Sequence, residues 1–465
     1  MTSAPSHRPP SSGNDRTALA LVALVLALMA GCRGARDAAD TPDVVVRADD
    51  APEVTDTSDT TDAAPIDTAL LVVPADSTDR PADTAFVIDR PDVYRIAVVL
   101  PFFEDSMQTI QAAPRDEEAD LPVAMLRALD FHRGLRLAMG RDTSGLPIAL
   151  DVYDSKGSET AVRRLTRSWR DAPPHLVIGP YFLRPTKVLS TWSRENEVYM
   201  VSPFTPSFNV AASNPYYINA APTLYAHLRA QAQAIGMVSD TARVIILHRD
   251  DDREADLAMA FTDFLNGRMG EHPEDVLVYA DVTIDDSDEN DRDWEVADHL
   301  EDGMTNHVLI PSMNAGFVSN LLRRLKEETD DHDIILHGLP TWIENDNYRL
   351  EYFEDLQLHT TDMYHPLRPD TAFDQAFQAA YDLDSDLYAR SGHDVGRFVI
   401  DLLTQHGHRP GAALTQMSTE GLVRSFDMTE ILGDAGQLLF YGNQAVTVYR
   451  LTGYDLVPID SLTAR

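Results

Sequence analysis

The sequence is poorest in cysteine and lysine. Cys32 is its one cysteine, so no intrachain disulfide can form and export has to be argued from other signals. Lysine occurs only at positions 156, 187 and 326, and arginine supplies the rest of a scarce positive charge: 38 basic residues face 75 acidic ones, for a net charge of −37. A chain this acidic repels a phosphate backbone, and no basic stripe offsets the repulsion, which excludes a nucleic-acid partner. The familiar catalytic signatures are also missing. There is no HExxH, P-loop, GxSxG or GxGxxG, and the histidines show no metal-ligand spacing. Catalysis therefore has no residues to stand on, and neither a metal nor a cofactor is expected.

Three local patterns resemble sites and are better read otherwise. DDSDENDRD, residues 285–293, would need glycine at Asp291 and a carboxylate at Ala297 to work as a calcium loop begun at Asp286, so it reads as a solvated acidic loop. HRDDDREAD, residues 248–256, reads as a helix start with acids where the helix dipole favours them. His393-Asp394, in SGHDVG, reads as structural. The acidity itself has two readings, recruitment of cationic ligands by the field and solubility in a salty environment, where exposed carboxylates are screened within about 3 Å at 1 M salt.

Beyond these absences, 465 residues at 44% hydrophobic content can bury a sizeable core, divided between two to four domains or lobes. Arg8 and Arg16 precede TALALVALVLALMA, an apolar run short of the ~20 residues of a comfortable membrane span but suited to a signal-peptide core. The run ends in LMAGC, with Ala30 and Gly31 before Cys32. This resembles a bacterial lipobox, with Met29 where leucine is most usual, and implies cleavage before Cys32 and lipid attachment to its thiol. Arg33 after the cysteine, in place of aspartate, leans towards the outer membrane. Residues 32–92 are rich in Asp, Thr, Ala and Pro and nearly devoid of aromatics, the composition of a disordered acidic tether.

From Val93 onward apolar runs alternate with helical patterns. RIAVVLPF (95–102) reads as a buried strand ended by Pro101, and LPIALDVYDS, HLVIGPY and VYMVSPF continue a first set of four strands. The helical stretches ALDFHRGLRLAM, ETAVRRLTRSW and RPTKVLSTWSREN lie between them. A second set, RVIILHRD, DVLVYADV, NHVLIPS and DIILHGL, is separated by EADLAMAFTDFLNGR, DWEVADHLEDG and AGFVSNLLRRLKEE. Strands alternating with single helices predict parallel βαβ units with helices on both faces, hence an α/β protein of two Rossmann-like lobes. The expected division is a leader over 1–31, the tether over 32–92, lobe one over 93–225, lobe two over 226–345, a return mainly to lobe one over 346–430, and a β-rich tail over 431–465. Stops such as Gly179-Pro180 and Ser202-Pro203 fall at the strands' carboxyl ends, where open α/β sheets hold ligands, and predict the rim of a cleft.

In order and spacing, RIAVVLPF, ALDFHRGLRLAM, LDVYDSKGSETAVRRL, LVIGPY, VYMVSPFTPS, NPYYINAAP, GHDVGRFVIDLL and GDAGQLLFYGNQAVTVYRL resemble the type I periplasmic binding-protein family, from about Arg95 to the C-terminus. The resemblance is strongest to an envelope subgroup in which this domain is often joined to a LysM peptidoglycan-binding module. No LysM is visible, and the tether and lipid would replace it as anchor. The resemblance implies three crossover segments and a ligand held between lobes that close by hinge motion. It implies ligand contacts at Ser202, Thr205 and Ser207 after the fourth strand. Tyr181 and Arg184 stand where a Ser/Thr cluster is usual after the third, and lobe two would offer Asp251, Ser312, Asn314, Thr341, Trp342 and Glu344. Trp342 reads equally as an aromatic wall or a hinge tryptophan. The implied function is capture of a small polar solute, an amino acid or derivative among them, for an ABC importer. The competing reading is an envelope interaction lipoprotein, similar to activators of peptidoglycan synthases.

Overall fold

The computed structural model describes residues 90–459, apart from 106–121, 142–143, 212, 239–242, 272–277, 285–295 and 434. Cys32, the leader, nearly all of the tether and the 285–293 acidic loop lie outside the described residues. Among the described residues no helix is long and apolar enough to cross a membrane.

The first sheet is built from β1 (Tyr94–Leu100), β2 (Ile148–Asp154), β3 (Leu176–Ile178), β4 (Tyr199–Ser202) and β5 (Tyr217–Asn219), all parallel, in the order β2-β1-β3-β4-β5. Helices α1 (Val123–Gly140), α2 (Glu159–Ser168) and α3 (Leu183–Asn196) connect its strands. The second lobe enters through α4 (Leu224–Val238) and repeats the winding. Its strands β6 (Arg243–Arg249), β7 (Val278–Ile284), β8 (Thr305–Leu309), β9 (Asp333–His337) and β10 (His359–Asp362) lie in the order β7-β6-β8-β9-β10, with α5 (Asp252–Glu271), α6 (Ala315–Glu327) and α7 (Leu350–Asp355). The chain then returns to lobe one with α8 (Thr371–Tyr381) and α9 (Leu387–His406).

The β-rich tail is shared. β11 (Ser418–Glu420), β12 (Ser425–Leu432) and β13 (Leu438–Asn443) extend the first sheet from β5, whereas β14 (Thr447–Thr452) and β15 (Asp455–Pro458) extend the second antiparallel to β10. The lobes are therefore joined by three crossovers, at 220–223, 363–370 and 444–446.

Period-two alternation explains why the first strands read as continuous apolar runs. Ile96, Val98 and Leu100 of β1 face the core under α1 and α9, while Ala97 and Val99 face the one under α2 and α3. Where α1 crosses α9 the backbones touch. A Cβ on Gly134 would lie 1.7 Å from the Ala389 carbonyl oxygen, and one on Gly392 would lie 1.9 Å from that of Phe131. Only glycine permits this approach, so ALDFHRGLRLAM and SGHDVG serve one helix crossing. Asp394, 1% exposed, accepts the backbone N–H groups of Leu422, Val423 and Arg424, which makes it a clasp for that loop.

Two local readings differ from the sequence pattern. Each lobe has a fifth parallel strand, β5 and β10, where the pattern shows four; their sequences, YIN and HTTD, are broken by polar residues and carry no readable apolar run. DWEVADHLEDG, expected as a helix, is among its described residues only a 3₁₀ turn, Ala297–His299, with Val296 and Leu300 pinned in the core on either side. Two apolar anchors four apart mimic helical spacing, and packing without a cap settles for one turn.

Candidate functional site

Both sheets present their carboxyl ends to the region where the crossovers meet. The first-lobe stops there are sealed instead of open. Gly179 has φ +105°, and a Cβ on it would lie 2.2 Å from the Val99 carbonyl oxygen, so the β3 stop requires glycine. Its N–H donates to Val201 O at 2.9 Å. The aromatic side chains close over this stop and the next: the Phe204 ring packs 4.6 Å from Tyr181 and 4.7 Å from Phe131.

Of the residues predicted for lobe one, Ser202 is fully buried and faces the equally buried Tyr217 hydroxyl. Thr205 is 4% exposed and lies 3.3 Å from the Thr186 hydroxyl, whose own proton goes to Phe182 O at 2.7 Å, so Thr205 is the donor of that pair. Ser207 is half-buried ahead of a 3₁₀ turn at Phe208–Val210, and Arg184 is exposed on α3. Tyr181 is nearly buried and lines the rim.

In lobe two most predicted residues are spent on structure. Asp251 caps α5 through the N–H groups of Arg253 and Glu254, and Asn314 caps α6 through that of Phe317. Ser312, fully buried, donates to Glu254 and accepts from Asn314 N, while Glu254 also takes a forked contact from Arg249. Trp342 is 1% exposed, stacks on Phe353 at 6.0 Å and donates its indole N–H to Ser312 O at 3.1 Å. It is a core side chain beneath the rim, which is neither the aromatic wall nor the half-buried hinge residue that the sequence suggested. Thr341 beside it is exposed.

A different set converges at the crossovers, and it reaches across both lobes. Arg127, half-buried near the start of α1, lies 5.0 Å over the Tyr388 ring and points Nη1 at the Tyr181 hydroxyl, 3.5 Å away. Tyr364 belongs to the second crossover, and its own backbone N–H donates to Asp362 Oδ1 at 3.1 Å. Glu344, exposed on the loop after β9, exerts its charge on Arg127, Tyr388 and Asp362 alike. Burial pushes the Asp362 carboxyl up to about 6; Glu344 acts in the same direction, and the Tyr364 N–H and Arg424 act against it. Burial also raises the Tyr364 and Tyr388 hydroxyls, which remain protonated donors at neutral pH.

Beneath this set Arg424, fully buried, ties the hinge. Its Nη1 donates to Pro203 O at 3.0 Å and Ser391 Oγ at 3.2 Å, and its Nη2 to Ala220 O at 2.8 Å. Asn443 donates to the same Ala220 oxygen and accepts from Ala445 N, while the Tyr449 hydroxyl donates to Tyr364 O at 2.8 Å. All three crossovers are thus joined by side chains. Sequence reasoning passed over Arg127, Asp362, Tyr364, Tyr388 and Arg424. A cation near a helix N-terminus, where the dipole disfavours it, was the one signal available for Arg127.

Two five-stranded α/β lobes wound alike, three crossovers and a polar set between them define a type I periplasmic binding-protein fold. Solved structures agree. The chain is similar to a putative branched-chain amino acid ABC transporter from Rhodospirillum rubrum, with 13% identity over 79% of this chain and 100% of that one, at a TM-score of 0.53. It is also similar to an ABC transporter substrate-binding protein from Desulfitobacterium hafniense, with 16% identity over 79% and 100% and a TM-score of 0.51. A complex of such a Desulfitobacterium hafniense protein with Leu matches at 17% identity, the same coverages and a TM-score of 0.50. No protein-family model and no curated protein matches the sequence.

Proposed function

We propose that the protein is a non-enzymatic, extracytoplasmic solute-binding lipoprotein. It captures a small polar ligand between its lobes, an amino acid or derivative among the candidates, for delivery to an ABC importer. The observation that carries this reading is the half-buried Arg127 of lobe one, set against Tyr181 and Tyr388 and within reach of the charge of Glu344 on lobe two. Opposed charges on two lobes joined by narrow crossovers give a ligand that touches both a means of favouring the closed arrangement. The leader, the lipid on Cys32 and the tether over 32–92 belong to the same proposal, and the LMAGC motif with its flanking composition supports them.

A second reading, an envelope interaction lipoprotein without solute capture, is favoured by one observation. The hydroxyls of Ser202, Thr205 and Ser312, which the family resemblance assigns to a ligand, are buried or engaged within the protein. A thermal-shift screen of the full chain, in high salt, against amino acids, small peptides, sugars and muropeptides separates the two. A ligand at a hundred times its Kd stabilises by about 2.7 kcal/mol, and at least one compound is expected to do so. Silence across the panel from a cooperatively folded protein would overturn solute capture and favour an envelope partner.

A further inference from the structure

The cationic groups around the cleft differ in what they have left to give. Arg424 spends three hydrogen bonds on Pro203 O, Ala220 O and Ser391 Oγ. Arg249 is forked onto Glu254. Arg127 makes one long contact, 3.5 Å to the Tyr181 hydroxyl, and otherwise lies over the Tyr388 ring. A guanidinium carries five N–H donors in a fixed fork that fits a carboxylate edge to edge. Half-buried and flanked by two tyrosines, Arg127 has no carboxylate partner among the described residues and is pre-positioned for an anion.

The surroundings limit what that anion belongs to. Tyr181, its ring packed on Phe204, lies beside Arg127 and Tyr388 lies beneath it, so the body next to the anion is flat or apolar. Glu344, exposed on the lobe-two loop after β9, is near enough for its charge to act on Arg127 and Tyr388, where it repels a second negative charge and can accept a hydrogen bond. We propose that Arg127 is the anion anchor of the cleft, in place of the hydroxyls after β4, and that it selects small organic monocarboxylates with a flat or apolar body and a donor at the far end. Glu344 acts as the filter that excludes dicarboxylates. This inference rests on the solute-capture reading above.

The test is calorimetric titration of the full chain with benzoate, 4-hydroxybenzoate, leucine, glutarate and the uncharged benzamide. One or more of the monocarboxylates should bind, with glutarate and benzamide at least tenfold weaker. Arg127→Gln should weaken the monocarboxylate about 10- to 100-fold, as expected for a lost charged hydrogen-bond pair, with Arg127→Lys between it and the parent. Glu344→Gln changes an exposed side chain, so folding is not at issue, and it should admit glutarate. Binding that survives Arg127→Gln and is lost in Thr205→Ala overturns the anchor while solute capture stands. Benzamide binding as tightly as benzoate, or glutarate still refused by Glu344→Gln, also overturns the proposal. A folded protein that binds nothing in this panel, yet responds to a sugar or peptide in the thermal-shift screen, sinks the monocarboxylate inference alone; silence in both sinks the solute-capture reading with it.

Discussion

The Arg424 guanidinium donates to the carbonyl of Ala220 at 2.8 Å across 204 positions of sequence, and through this bond the C-terminal strands hold the first crossover. Two further acceptors, Pro203 O and Ser391 Oγ, depend on the same fully buried side chain. Replacing it by methionine fills the volume but strands those acceptors, each at a cost of about 1–3 kcal/mol. Arg424→Met should lower stability by roughly 3 kcal/mol or more, read as a lower urea midpoint at unchanged slope. A loss under about 1 kcal/mol would show that the hinge does not depend on this residue.

Glycine positions separate packing from propensity. Gly134→Ala forces a methyl to within 1.7 Å of the Ala389 carbonyl oxygen and should cost about 1–3 kcal/mol or more as α1 is pushed off α9. Gly267, exposed within α5, has nothing within 4 Å of the Cβ position, so Gly267→Ala should stabilise by about 0.5–1 kcal/mol. Melting curves of the two variants should move in opposite directions. Equal shifts would contradict the backbone contact.

Acid should unfold the protein through its histidines. Burial holds His132, His227, His307 and His359 down near 4, and His337 well below its ordinary value, with neighbouring His307 and His359 adding to the effect there. Between about pH 6.5 and 4 the unfolded chain takes up protons that the folded one refuses, so stability falls as pH falls through that window and levels below it. Asp362, raised to about 6, works the other way between its ordinary value and 6, and Asp386, also raised by burial, acts in the same sense, but these are two carboxyls against five histidines. His227 alone is worth about 3 kcal/mol across the window, so His227→Gln should flatten the pH dependence of the urea midpoint. An equally steep profile in that variant would remove His227 from the account.

Attachment to the membrane should depend on Cys32. With Cys32→Ser, the protein is expected to move from the membrane pellet to the soluble fraction and to lose incorporation of a labelled fatty acid. Retention of both would disprove the lipid anchor.

How much of this was legible beforehand follows from the range of each interaction. RIAVVLPF and HLVIGPY announced buried parallel strands because both faces of a strand in an α/β sheet need apolar side chains, a pattern carried within a few residues. β5 and β10 escaped notice because YIN and HTTD carry polar side chains where β3 has the wholly apolar LVI, and only their neighbours in the sheet define them. The Asp251 and Asn314 positions were recognisable as polar, but their side chains are used as helix caps, a local role that spacing alone could not separate from ligand contact.

By itself, then, the sequence determined the alternation of strands and helices, the two lobes and the glycine stops, since these rest on hydrophobic period and backbone sterics between near neighbours. Tertiary structure decided which polar groups are left to act. Ser312 is consumed by Glu254 and Asn314 N, and Trp342 by Phe353 and the Ser312 carbonyl, while Arg127, Glu344, Asp362, Tyr364 and Tyr388 come near one another only because three crossovers bring distant segments together. Whether a side chain is satisfied within the protein depends on partners far along the chain, and no local pattern records them.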